Sequence, residues 1–371
     1  MPERMFGSWR DILRLHAAEF ARGAFTPSLP AIIGAILTAG AIFGLAMWRI
    51  TPAFVAERGG YLVRDREDVY AYLTAQTLRL ARDRPAEPVC VLIGDSIIRE
   101  AITSERELTR EVCKKAGRTV SVHLLVAGGL SHWEAVSLTD CIRGRVHGVV
   151  AIEITPYNLT RKPRILLDLA QHPRLAVPSS AQSEECRLMH FASVYSLHNY
   201  FLDHYGFFAA RVDALANLWS GPVQPPQHRS LRLWGADDWA KGQPQWELAY
   251  QQHHAGNLGI YGRMITRLRE SGRLTIVLLE GPENPRLKKP GQSGDGSDPL
   301  QAGYRGDVAA FARDHALEYW DLVALAELKP EEFWDFDHIR SASARKRFTE
   351  VLATRLANSL CAANFMEGDS K

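Results

Sequence analysis

Ser96 closes the triplet Gly94-Asp95-Ser96 at the end of the apolar run Val89-Cys-Val-Leu-Ile93, and Asp335-Phe-Asp-His338 lies far downstream, just ahead of a helical tail. Serine, histidine and aspartate are the parts of a nucleophilic acyl-transfer site. The imidazole takes the hydroxyl proton, and the carboxylate holds the imidazole in its working tautomer. An Asp and a His three residues apart on a tight turn can face one cleft. Ser96 is thus the expected nucleophile, His338 the general base and Asp335 its orienter. Asp95 reads as the cap of a helix running from Ile97 onward. Asp337 reads as a solvated carboxylate turned away from the site. A serine at a helix N-terminus has free backbone N–H groups beside it, which is where an oxyanion would be held.

Those residues need a frame. Apolar runs at Val89 to Ile93, Val120 to Val126, Gly148 to Ile154, Leu274 to Leu279 and Leu317 to Leu322 alternate with helix-period stretches. This is the pattern of parallel βαβ units, so the expected fold is α/β with a doubly wound parallel sheet, whose chemistry collects at the carboxyl ends of the strands. Asp68 to Arg84 reads as a helix before the first strand, and Ala342 to Leu360 as the closing one. Residues 160–270 interrupt the alternation and are expected to form a cap or side wall, with an aromatic run His198 to Phe208 and a Pro-rich loop Gly221 to His228. Pro282 to Pro299, carrying Lys288 and Lys289, is expected as a loop beside the site.

With 371 residues and a formal charge of +2, the chain is large enough for a substantial core and too weakly charged to be a dedicated nucleic-acid binder. Five cysteines show no metal-ligand spacing, so no metal or other cofactor is expected. Their odd number leaves at least one thiol free, and Cys113 with Cys141 is a candidate pair in an oxidising compartment. Ala31 to Trp48 carries no charge and follows Ser28 and Pro30, which suit a helix start. It is expected as a single uncleaved membrane anchor within 31–50, after a tail 1–30 and before a juxtamembrane segment 51–86. Arginines flank it on both sides (Arg4, Arg10, Arg14 and Arg22; Arg49, Arg58, Arg64 and Arg66), so charge does not set its orientation. Gly40 and Gly44 form a small-xxx-small face on which another membrane helix could pack.

The Gly-Asp-Ser triplet and the closing Asp-x-x-His, each at its proper end of an α/β chain, resemble the SGNH (GDSL) hydrolase family over about 87–362. The resemblance implies a flavodoxin-like sheet and Ser96, His338 and Asp335 as catalytic residues. It also implies an oxyanion hole of the Ser96 and Gly129 backbone N–H groups, with Asn158 as a third donor. Gly129 comes from Ala127-Gly128-Gly129 after the second strand, and Asn158 from Glu153-Ile-Thr-Pro-Tyr-Asn158 after the third, where the family has Gly-x-Asn-Asp. Asn158 falls late by that count, and Ser131 is an alternative donor. The anchor and the Pro-containing turn look like the membrane-anchored branch, which includes the D-alanyl transfer protein of teichoic acids and the alginate and cellulose acetylation proteins. This implies an extracytoplasmic O-acyltransferase acting on a polysaccharide beside a membrane-bound O-acyltransferase. An esterase and a non-catalytic scaffold are the alternatives.

Other residues have plainer expected roles. Trp234, Trp239 and Trp246 are expected to pack, with stacking on a sugar ring as the alternative. His253-His254 lacks the further ligands a metal would need. Glu153 and Glu280, at strand ends, either touch substrate or cap a helix.

Overall fold

The computed structural model describes residues 28–49, 69–171, 174–175, 177, 179–191, 236–285, 299–335 and 337–362. Two units are separate in it, 1–51 and 52–371. In the first, helix α1 covers Leu29–Arg49, where the anchor was expected. Its large apolar side chains, Ile36, Leu37, Ile42 and Leu45 among them, are exposed. Among the described residues, however, no helix is long and apolar enough to cross a membrane. The flanking arginines, apart from the backbone of Arg49, lie outside the described residues.

The second unit runs α2 (Val69–Asp83), β1 (Val89–Gly94), α3 (Ser96–Ala101), α4 (Glu105–Ala116), β2 (Ser121–Val126), α5 (His132–Ile142), β3 (Gly148–Ile154), α6 (Pro156–Leu159), α7 (Pro163–Gln171) and α8 (Ser180–Leu188). There follow α9 (Ala236–Arg269), β4 (Leu274–Glu280), α10 (Pro299–Asp314), β5 (Glu318–Trp320) and α11 (Ala342–Ala362). The five strands form one sheet in the order β2-β1-β3-β4-β5, and every pairing is parallel. This is the flavodoxin-like order, whose direction of winding reverses between β1 and β3.

Continuous apolar strands are explained by burial on both faces. Val89, Val91 and Ile93 point into one core with Leu73 of α2, Trp133 of α5, Tyr261 of α9 and Phe311 of α10. Cys90 and Leu92 point into the other with Ile98, Leu108 and Val112 of α3 and α4 and Phe348, Leu352 and Leu356 of α11. Cys141 packs against the first core and Cys113 against the second, so the sheet lies between them. All five cysteines are free thiols, and the candidate pair is not bridged. Strand β3 can start against β1 only because residue 148 is glycine. Its φ is +133°, and a Cβ there would stand 2.0 Å from the Val89 carbonyl oxygen.

The interruption at 160–270 is smaller than expected. The second half of α9 carries Ile260, Tyr261, Met264, Ile265 and Leu268 into the core, so it is the β3-to-β4 crossover helix and not part of a cap. His198 to Phe208, Gly221 to His228, Trp234, Lys288 and Lys289 lie outside the described residues, as does the Trp239 side chain.

Candidate active site

Strand β1 ends at Gly94, and the next residue turns the chain into α3. Asp95 is the N-cap, and its carboxylate accepts the Ile97 N–H at 2.8 Å. That cap places Ser96 at the first helical position, with its hydroxyl over the carboxyl end of the sheet. Opposite it, the 333–339 turn is pinned at both ends by the bridge between Phe333 and Ile339 and by the Trp334 N–H donating to the His338 carbonyl. The Asn284 amide adds a bond of 3.0 Å to the Asp335 carbonyl. Within the turn Asp335 Oδ1 accepts the backbone N–H groups of Asp337 and His338, which curls the segment and aims the imidazole at α3.

The result is a continuous chain of hydrogen bonds. His338 Nε2 lies 3.1 Å from Ser96 Oγ, and His338 Nδ1 lies 2.9 Å from Asp335 Oδ2. Ser96, His338 and Asp335 are thus brought together from positions about 240 residues apart. The tautomer follows from the partners: Nδ1 donates to the carboxylate, leaving Nε2 to accept the serine proton.

The expectation for Asp337 is corrected. Its carboxylate is not solvated and turned away; Oδ1 stands 2.7 Å from His338 Nδ1. That oxygen is buried without a hydrogen-bond partner, because the Nδ1 proton is directed at Asp335. Burial pushes Asp337 up to about 7, against the pull of His338. Burial also tends to raise Asp335, but hydrogen bonds from His338 and two backbone N–H groups outweigh it and hold that carboxyl below the usual range. For His338 burial disfavours the cation, yet the two carboxylates overcome this and lift it from 6.5 to about 10. The site therefore stabilises an imidazolium strongly, and free imidazole is reached as pH rises.

Beneath Ser96 lies a second acidic pair. The Asp95 backbone N–H donates to Glu153, at the end of β3. Burial, with the Asp95 charge beside it, pushes Glu153 well above the usual carboxylate range. Gly94 and Gly281 give that side chain its room: a Cβ on either would come within 2.4 Å or 2.6 Å of a Glu153 carboxyl oxygen. Glu153 is thus a buried support of the site, accepting the N–H of the residue that caps α3.

Among the described residues the backbone N–H groups of Ser96 and Gly129 make no hydrogen bond, and both residues line the cavity at the triad. Gly129 has φ +70°, which suits glycine. Its peptide is oriented from behind by a residue that sequence reading missed: Tyr70 of α2 donates to the Gly128 carbonyl at 2.9 Å. Because a trans peptide points its C=O and N–H in opposite directions, this bond turns the Gly129 N–H the other way. The next carbonyl, that of Gly129, accepts from both Arg161 and Arg174 at 3.0 Å. Arg174 also stacks over the Tyr70 ring and pairs with Glu134. No local motif marks these residues, since Tyr70 meets Gly128 across 58 positions.

Asn158 and Ser131 are placed elsewhere. Thr155 caps α6 with Pro156 at its first turn, so the chain is helical by Asn158, whose N–H donates to Thr155 and whose Oδ1 accepts from Arg161. Asn158 is buried and does not line the cavity; Thr155, Pro156, Tyr157 and Thr160 supply that wall. Ser131 forms a capping box with Glu134 at the start of α5, and its hydroxyl donates to Glu134. Trp246 lines the cavity as well as packing on the core. Glu280 is taken up by Arg305 and Tyr319. His254 stacks on Tyr250, and its Nδ1 lies 2.7 Å from the Tyr250 carbonyl, so it is occupied within α9. Asp335, Asp337 and His338 are clustered closely enough to offer cation ligands, but Nδ1 is already committed to Asp335.

No protein-family model matches this chain, and a search of curated proteins returns no match.

Proposed function

We propose that the chain is a membrane-anchored O-acyltransferase of the SGNH type, moving an acyl group through an acyl-serine intermediate onto an extracytoplasmic polysaccharide. The observation that carries this is the Ser96–His338–Asp335 chain of hydrogen bonds opening on a cavity beside two free backbone N–H groups. In this reading His338 takes the Ser96 proton as Oγ attacks the ester carbonyl. The Ser96 and Gly129 N–H groups hold the oxyanion, a role in which each donor is worth roughly 3 to 4 kcal/mol. His338 then returns the proton to the departing alcohol. A sugar hydroxyl, activated by the same imidazole, takes the acyl group from Ser96. If water takes its place, the same steps make an esterase.

The exposed apolar surface of α1 supports the anchor; a single-pass protein of the cytoplasmic membrane, with its larger unit on the periplasmic side, is the arrangement this reading requires for an extracytoplasmic substrate. A side chain at Gly40 or Gly44 would meet nothing within 4 Å, which leaves that face open to a membrane-bound O-acyltransferase partner delivering the acyl group. Ser96→Ala introduced in cells, followed by measurement of envelope-glycan acylation, tests the proposal. Loss of acylation is expected, and unchanged acylation would remove the catalytic claim.

A further inference from the structure

From the walls of the cavity at the triad we infer that the acyl group carried by Ser96 is an uncharged chain or ring of about six carbons, larger than acetyl. This rests on the acyl-serine reading and narrows it to a substrate class. The cavity measures about 200 Å³. A dry apolar cavity of about 150 Å³ takes a benzene ring, so an acetyl group would leave most of this one unfilled. Its lining is largely apolar and includes Ile154, Pro156, Tyr157, Trp246, Pro282 and Tyr304, from the end of β3, from α6, from the segment after β4 and from α9 and α10.

The carboxylates among the lining residues do not call for a charged ligand. Glu280 and Glu283 are both paired with Arg305 at 3.0 Å. Asp95 is spent on its helix cap, and Asp337 lies against the imidazole, 2.7 Å from Nδ1. The rest of the wall is largely apolar surface, and the occupant that covers it is a hydrocarbon acyl tail attached at Ser96. Each methylene buried there is worth about fourfold in kcat/KM.

The test uses the full-length chain and p-nitrophenyl acetate, butyrate, hexanoate and octanoate. The Ser96-dependent kcat/KM is expected to rise at least about tenfold from acetate to hexanoate. An equal or higher value for acetate would overturn the inference and leave the nucleophile in place. No hydrolysis of any ester beyond that of Ser96→Ala would overturn the catalytic reading, and this inference with it. Thr160→Phe, which adds bulk at the wall, provides a second readout in the hexanoate-to-acetate ratio, a quantity independent of the fraction folded. The ratio is expected to collapse toward one; an unchanged ratio would contradict the placement of the tail.

Discussion

Replacing Asp337 with asparagine removes one of the two charges on His338 while keeping the shape of the side chain. The pair of carboxylates, working against burial, lifts His338 from 6.5 to about 10. Dividing that rise between them, Asp337→Asn should bring the imidazole down by about two pH units. The charge is strong enough for this. Two pH units correspond to about 2.7 kcal/mol, and a unit charge 2.7 Å away exerts several kcal/mol even at an effective dielectric constant of about 20. Only neutral His338 can accept the Ser96 proton, so the wild-type kcat/KM should climb with pH toward a limb near 10, and the limb of the variant should fall near 8. Because Asp337 is itself pushed up to about 7, part of its charge is already neutralised at pH 7 in the wild type. The share of free imidazole at pH 7 to 8 should therefore rise only about 2- to 10-fold, and a less basic imidazole returns part of that gain. The assay is the pH dependence of ester hydrolysis from pH 6 to 10, with the Ser96→Ala rate subtracted. An unmoved limb would show that the Asp337 charge does not act on His338, and equal loss at every pH would mean that Asp337 is needed for structure instead.

Two further substitutions probe the frame of the site. Tyr70→Phe deletes the hydrogen bond that turns the Gly128–Gly129 peptide; it should lower kcat by roughly 3- to 30-fold with KM little changed, a fraction of what losing an oxyanion donor costs, and an unchanged kcat in steady-state kinetics would refute the positioning role. Gly148→Ala forces a Cβ onto the Val89 carbonyl at a positive φ; it should cost about 3 kcal/mol or more in urea unfolding, and a loss under about 1 kcal/mol would show that the β1–β3 contact yields easily.

The sheet is legible in the sequence because the cores of β1, β3 and β4 are short, almost unbroken apolar runs, as burial on two faces demands. Ser96 is legible for a related reason: the run stops at glycine and a capping Asp follows, so strand end and helix start coincide. Asp335 and His338 are legible as a spaced pair on a turn. Asp337 is not. Its orientation is set by Asp335 accepting two successive backbone N–H groups, and alternation along an extended chain predicts the opposite. Asn158 misleads because Thr155 and Pro156 start a helix at once after β3, and this turns the asparagine inward to Arg161. Tyr70 and Arg174 act on Gly128 and Gly129 only through packing of α2 and α5, which no short-range pattern encodes. The extent of the interruption before β4 is hidden for the same reason: α9 is one long helix that enters the core from Trp246 and Tyr250 onward.

An acyl-serine at residue 96 is the central claim, and mass spectrometry of the quenched protein reads it directly. After brief reaction with p-nitrophenyl hexanoate and acid quench, the peptide containing Ser96 should carry one hexanoyl group, absent from Ser96→Ala and greatly reduced in His338→Gln. Ester turnover with that peptide unmodified and the group found on another residue, or on none, would contradict the account.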